Sequence, residues 1–329
     1  MKVIFLWAVV IFFSLNMGAS GIAPSFAAVF GAKLVNKKNI FLLFAFFVIL
    51  GAVTLGRGVC VTLGKNLLPK ELLDFKVATV ILAAATLGLF VANILKIPQS
   101  TSQVTVGSIV GAGLYFKQLN LNTLYFKILP MWVILPLLSY FFTWLIYRKI
   151  YPPERDNLHI YQKMFANEKK LRLLSLAASC YVAFTIGTNN VGNAVGPLFG
   201  AGVIGINLGL AVVAPLFGIG AFLFGKGPLE TVGREIVPLG LFSSTLVSFV
   251  TATLLIVASI LGVPQSLVQL NLFSVFTVSC LKNGHRNTIG QRLTKKTFFI
   301  WIITPLLAVF LSYLLLVLIN KGLPFQTKG

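Results

Sequence analysis

Ten stretches of about 20 mostly apolar residues follow one another along the chain, each long enough to cross ~30 Å of hydrocarbon as an α-helix. They lie roughly at 3–31, 39–56, 76–95, 98–116, 128–147, 173–200, 205–225, 236–261, 264–281 and 298–320. Barrel strands would alternate in polarity over about 10 residues, and these runs do not. An all-α polytopic membrane protein is therefore expected. Composition agrees: 57% of the 329 residues are hydrophobic, only 10% are charged, and mean hydropathy is +0.92. So few charges cannot cover a water-facing surface, which excludes a soluble enzyme. The fourth and ninth runs are the shortest and are rich in Ser, Thr, Gln and Gly, so they are candidates for re-entrant or broken segments.

The charge is lopsided, with 27 Lys+Arg against 7 Asp+Glu. If all ten runs cross and the N-terminus lies outside, 18 of the basic residues fall in cytoplasmic loops. That is the positive-inside bias, and it accounts for the net charge without a nucleic-acid partner. Residues 148–172 form the one long hydrophilic stretch. They read as a cytoplasmic basic linker between a first transmembrane repeat, 1–147, and a second, 173–329. The basic start and the apolar stretch from Val3 to Ser14 have the form of a signal peptide. The same small, polar break recurs in mid-chain, so the segment reads instead as a first span.

The recurrence is a duplication. A shift of 169 residues places Gly18 on Gly187, Gly31 on Gly200 and Gly51 on Gly220. In the same register Thr62-Leu63-Gly64-Lys65 falls on Thr231-Val232-Gly233-Arg234, and Pro69 on Pro238. After a slip of three, Pro98-Gln99-Ser100-Thr101-Ser102-Gln103 matches Pro264-Gln265-Ser266-Leu267-Val268-Gln269. Each half then holds about five spans, and an odd number of crossings turns the second half over. Two inverted repeats with broken or re-entrant helices at their interface are the pattern of secondary transporters.

Four polar breaks correspond between the halves: Asn16 to Ser25, Gly187 to Ala194, and the two Pro-Gln-Ser motifs. They carry Ser, Thr, Asn, Gln and free backbone N–H groups. The seven acids, Glu71, Asp74, Glu154, Asp156, Glu168, Glu230 and Glu235, all fall in loops or at span ends. Donors without carboxylates suit a small oxyanion. The plain alternative is that small and hydroxyl residues glue helices together. Cys60, Cys180 and Cys280 are too far apart for a metal or redox motif, and His159 and His285 lie in polar loops. No metal or nucleophile constellation is found, and no enzyme is expected.

At these residues the chain resembles the inorganic phosphate transporter (PiT) family, from about Asn16 to about Pro305. Gly187-Thr188-Asn189-Asn190-Val191-Gly192-Asn193-Ala194 is similar to the second of its two Gly-Ala-Asn-Asp-Val-Ala-Asn-Ala motifs. Glu230-Thr231-Val232-Gly233 resembles its Glu-Thr-Val-Gly element, and Pro98-Gln99-Ser100-Thr101 its Pro-x-Ser-Thr motif. The family's Asn-Asp pair is Ser20-Gly21 in the first half, and its second Asp is Asn190. With both acids missing, the chain looks most like the bacterial sulfate permease branch. Phosphate keeps a proton and can donate to a carboxylate. Sulfate can only accept, so a buried Asp would face it unpaired.

The expectation is a multi-pass transporter in a bacterial cytoplasmic membrane that imports sulfate or a similar tetrahedral oxyanion by cation symport, with H+ or Na+ as coupling ion and no cofactor. The oligomeric form admitted is a homodimer. Candidate binding residues are Ser20, Ser100, Thr101, Ser102, Asn189, Asn190, Asn193 and Ser266, supported by Gln103, Gln269, Gly18 and Gly187. Ser20, Asn189, Asn190 and Asn193 are expected on broken first helices of the two halves. Glu230 is the coupling candidate. The alternatives are a phosphate symporter, a passive anion channel and a non-transporting scaffold.

Overall fold

The computed structural model describes residues 2–94, 99–230, 240–290 and 292–321, and among these there is no strand. In lipid a backbone must satisfy its own N–H and C=O groups, so an apolar run of this length closes into a helix. Helices α1 (Lys2–Gly31), α2 (Lys37–Leu55) and α3 (Arg57–Val61) lead through a π-helical turn, Thr62–Asn66, to α4 (Phe75–Ile94). Helix α5 (Thr101–Phe116) follows, then a second π-helical turn, Thr123–Ile128, and α6 (Leu129–Tyr147). The hydrophilic region contains α7 (Leu158–Ala166), and α8 (Glu168–Asn189) begins before it ends. Next come α9 (Val191–Gly200), α10 (Ile206–Phe224) and α11, helical over 226–230 among the described residues. Helices α12 (Leu241–Ile260), α13 (Leu267–Asn283), α14 (His285–Gly290) and α15 (Arg292–Lys321) complete the order. Pro98 and the Thr231, Val232, Gly233, Arg234, Glu235 and Pro238 positions lie outside the described residues.

Local chemistry sets several helix starts. The Asn36 side chain accepts from Asn39 N–H at 2.9 Å to open α2, and Asp74 accepts from Val77 N–H at 2.8 Å to open α4. Each side chain satisfies an N–H that the first helical turn leaves open.

Seven helical stretches, rather than ten, are long and apolar enough to cross a membrane among the described residues, and α4 adds a shorter apolar helix over Phe75–Phe90. The fourth and ninth expected spans form α5 and α13, of 16 and 17 residues. At 1.5 Å per residue they reach about 25 Å, short of a full crossing. They are shortened because Ser100 and Ser266, just before them, are extended.

The expected break in the first helix does not form. Helix α1 runs through Gly18, Ser20, Gly21 and Pro24 without interruption. Pro24 removes one N–H, while Ser25 Oγ donates to Gly21 O at 3.0 Å and holds the turn. In the second half the interruption is a single residue. Asn190 keeps φ −79° and ψ −31°, and its N–H still donates to Ile186 O at 2.8 Å.

Glycines bring the central helices to backbone contact. A Cβ on Gly18 of α1 would lie 2.0 Å from Phe217 O of α10, and one on Gly220 of α10 would lie 2.2 Å from Leu15 O of α1. Between α2 and α8 the same holds: Gly51 faces Phe184 O at 2.0 Å and Gly187 faces Val48 O at 2.1 Å. Gly107 and Gly111 of α5 are seated likewise on Pro305 O and Val309 O of α15. Small residues at helix crossings are how membrane helices gain dispersion contact where no hydrophobic driving force separates protein from lipid. The opposite faces carry exposed Leu42 and Phe46 on α2, Leu208 and Phe222 on α10, and Leu306 and Phe310 on α15, which suits lipid contact.

Gly18→Ala is expected to destabilise the chain in detergent by about 1–3 kcal/mol, the cost of overpacking. Gly205→Ala, with nothing within 4 Å of its added Cβ, is the control. Thermal unfolding measures both, and equal midpoints for the two variants would contradict the close crossing.

Candidate functional site

The two Pro-Gln-Ser segments meet a pair of asparagines in the interior. Ser100, at φ −86° and ψ 110°, caps α5 by accepting from Gln103 N–H at 3.2 Å. Ser266, at φ −86° and ψ 111°, caps α13 by accepting from Gln269 N–H at 3.1 Å. The two starts are alike to a degree in backbone angles. Just before Ser266 lies Gln265, whose backbone is held from both sides. Its N–H donates to Asn189 Oδ1 at 3.0 Å, and its carbonyl accepts from Ser102 Oγ at 3.0 Å.

The cluster extends from there. Asn193 Nδ2 donates to Ser102 Oγ at 3.0 Å, joining α9 to α5. Asn189 Nδ2 reaches Val263 O at 3.0 Å and Ser259 Oγ at 3.1 Å, and Thr188 Oγ1 meets Ser259 Oγ at 2.8 Å. Trp132 Nε1 of α6 donates to Pro264 O at 2.8 Å. Every carbonyl of this non-helical stretch that is so paired would otherwise cost its full desolvation. Asn189 and Asn193 are fully buried, and so are Ser102 and Gln265.

Polar atoms remain over. Both amide atoms of Gln99 and both of Gln265 are buried without a protein partner. So are the side-chain oxygens of Gln103, Gln269, Asn190 and Asn193. Each such atom costs about 1–3 kcal/mol if it stays unsatisfied. Buried atoms of this kind call for a guest that can hydrogen-bond, whether water, ion or substrate. None of these residues is ionisable, so the charge available to a guest comes from dipoles: amide groups and the leading N–H groups of α5 and α13. The leftover set is richer in amide oxygens than the donor-only lining expected from sequence. An amide exchanges its donor and acceptor by a half-turn about its last bond, so the unpartnered Gln99 and Gln265 can present either.

Hydrogen bonds through Gln265 thus join Ser102, Asn189 and Asn193, and Ser100 and Ser266 cap the two helices at Gln103 and Gln269; Asn190 follows Asn189 in the chain, with its side-chain oxygen buried and unpartnered. Thr101, half-buried, is the first residue of α5. Ser20 does not share the cluster's hydrogen bonds. Its side chain is exposed on α1, and its Oγ donates to Met17 O at 3.1 Å. Gly18 and Gly187 act in helix contact, as described above. Glu230 pairs with Lys37 at the start of α2, at 2.8 Å. Gln99, Gln265, Thr188 and Ser259 are the residues sequence reasoning passed over. The first two stand at the second position of the repeated Pro-Gln-Ser-x-x-Gln pattern, a signal that was available. Ser259 lies in no motif.

Comparison with known proteins identifies the family. Residues 17–312 match the model of the phosphate transporter family. The sulfate permease CysP of Bacillus subtilis is 36% identical over 95% of this chain and 86% of its own length. A putative phosphate permease of Methanocaldococcus jannaschii is 23% identical over 91% of this chain and 92% of its own. A solved structure titled the sodium-dependent phosphate transporter superposes with a TM-score of 0.83, covering 97% of this chain and 99% of that one at 21% identity. That likeness speaks for the fold. The chain is a multi-pass membrane transporter and belongs to the phosphate transporter family.

Proposed function

We propose that the chain imports sulfate across the bacterial cell membrane by cation symport and alternating access, with the oxyanion held between the two Pro-Gln-Ser segments. The observation that carries this reading is the pair of buried, unpartnered amides, Gln99 and Gln265, in a cluster without a carboxylate. Amide and hydroxyl donors meet an acceptor-only dianion. A proton-bearing phosphate would leave its own donor to a neutral acceptor at best. The sulfate permease relative supports the same choice.

Alternating access needs two arrangements of two similar bodies. We read residues 1–147 and 173–329 as inverted repeats joined by 148–172. Helix bounds support it: α2 (37–55) and α10 (206–224) differ by the repeat shift of 169, and so do the glycine contacts. Gly18 meets Phe217 while Gly187 meets Val48, and Gly51 meets Phe184 while Gly220 meets Leu15. The pairs α4 and α12, and α5 and α13, follow the shift of 166.

A dianion moving inward opposes a negative-inside potential by about 2.3 kcal/mol per charge per 100 mV, so a cation must accompany it. Sodium would find oxygen ligands among the free amide carbonyls of the cluster. A proton would find Glu230, whose ion pair with Lys37 ties α11 to α2. Protonation there would loosen a contact between the two halves.

In proteoliposomes the purified chain is expected to take up radiolabelled sulfate saturably, driven by an inward Na+ or H+ gradient and competed by selenate. Gln99→Ala and Gln265→Ala are each expected to lower uptake roughly tenfold or more, the loss of one hydrogen bond to a charged partner. Strong phosphate uptake without sulfate uptake would overturn the substrate, and two unimpaired variants would overturn the site. Asn190→Asp is expected to raise the KM for sulfate by placing a carboxylate beside the dianion. An unchanged KM would contradict the electrostatic argument.

A further inference from the structure

At the start of the second half, α7, the first turns of α8 and the first turn of α12 enclose a surface groove of about 350 Å³. Its polar rim is His159 and Lys163, four residues apart and so on one face of α7, with Lys170 of α8 opposite. Its floor is apolar, built from Ile160, Leu171, Leu174 and Phe242. Lys163 and Lys170 are exposed, and neither takes part in an ion pair among the described residues. The acid of the same helical turn, Glu168, is taken by Arg172 at 2.6 Å.

Apolar side chains stand exposed beside the groove. Leu173 and Leu174 are 68% and 54% exposed at the end of α8 that leads into the membrane. At the next residue, Ser175 Oγ meets Thr245 Oγ1 at 2.5 Å and joins α8 to α12. A cavity with cations at its water-facing rim and an apolar floor fits a molecule with an anionic head and apolar tails. Basic pockets at the ends of spans take anionic lipid by the same chemistry. The geometry points to a seat for one anionic phospholipid, its phosphodiester against Lys163, Lys170 and His159 and its acyl chains along Leu171, Leu174 and Phe242. Such a lipid would pin α7 to the feet of α8 and α12. Helix α8 carries Asn189 at its far end, so the lipid would steady one wall of the candidate anion site. The lipid seat itself does not depend on which anion is transported.

Native mass spectrometry of the full chain released from bilayers of phosphatidylcholine and phosphatidylglycerol in equal parts tests this. The expected result is preferential retention of phosphatidylglycerol by the wild-type chain. Lys163→Gln with Lys170→Gln is expected to reduce that retention by roughly fivefold per lysine removed. Lys163→Arg with Lys170→Arg keeps it. Lys149→Gln with Lys169→Gln, an equal charge change away from the groove, also keeps it. Equal retention of the two lipids, an equal loss in the Lys149/Lys169 control, or displacement of the lipid by inorganic phosphate alone would each overturn the assignment.

Discussion

Backbone that leaves the helix inside a membrane protein has to borrow hydrogen-bond partners from side chains, and here Gln265 borrows one on each side. Asn189 takes its N–H and Ser102 gives to its carbonyl. Asn189 belongs to α8, and Ser102 to α5, from opposite halves of the chain. The non-helical stretch before α13 is thereby fixed to both halves. Without these partners the extended segment would carry buried, unpaired backbone groups at about 1–3 kcal/mol each. The same clamp sets the places of Ser100, Ser266 and the unpartnered glutamines around it.

Around the cluster, two kinds of helix contact divide the work. Glycines let α1, α2, α8 and α10 approach until backbone meets backbone. Helix α5 meets α15 in the same way, through Gly107 and Gly111. Helix α13 meets α6 through hydroxyls instead: Ser139 Oγ donates to Leu270 O at 2.8 Å, and Thr143 Oγ1 meets Ser274 Oγ at 2.7 Å. Close-packed contacts of either kind are stiff. The α5–α15 and α13–α6 contacts are thus close by different chemistry, glycine in one and hydroxyls in the other.

Much of this was legible in the sequence, and for identifiable reasons. Apolar run length dictated helices, because lipid leaves a backbone little choice. Ser100 and Ser266 could be read as helix starts because a hydroxyl before a polar-to-apolar turn caps a helix in any setting. The asparagines were found through the repeat. Two readings failed. Gly18 and Pro24 looked like a break, but a glycine in a membrane helix can serve contact as well as interruption, and only the position of Phe217 decides which. Gln99 and Gln265 were passed over in favour of the serines beside them. Whether an amide is satisfied depends on neighbours from distant segments, which no local pattern shows. Lys37, which pairs with Glu230, lies 193 residues away and was hidden for the same reason.

The proposed seat of the oxyanion between the two Pro-Gln-Ser segments is open to direct observation. Selenate has the charge and shape of sulfate and scatters anomalously. A crystal of the chain grown with selenate should show an anomalous peak within hydrogen-bonding distance of the Gln99 and Gln265 amides. A fully occupied peak elsewhere in the molecule, with the cluster filled only by water, would contradict it.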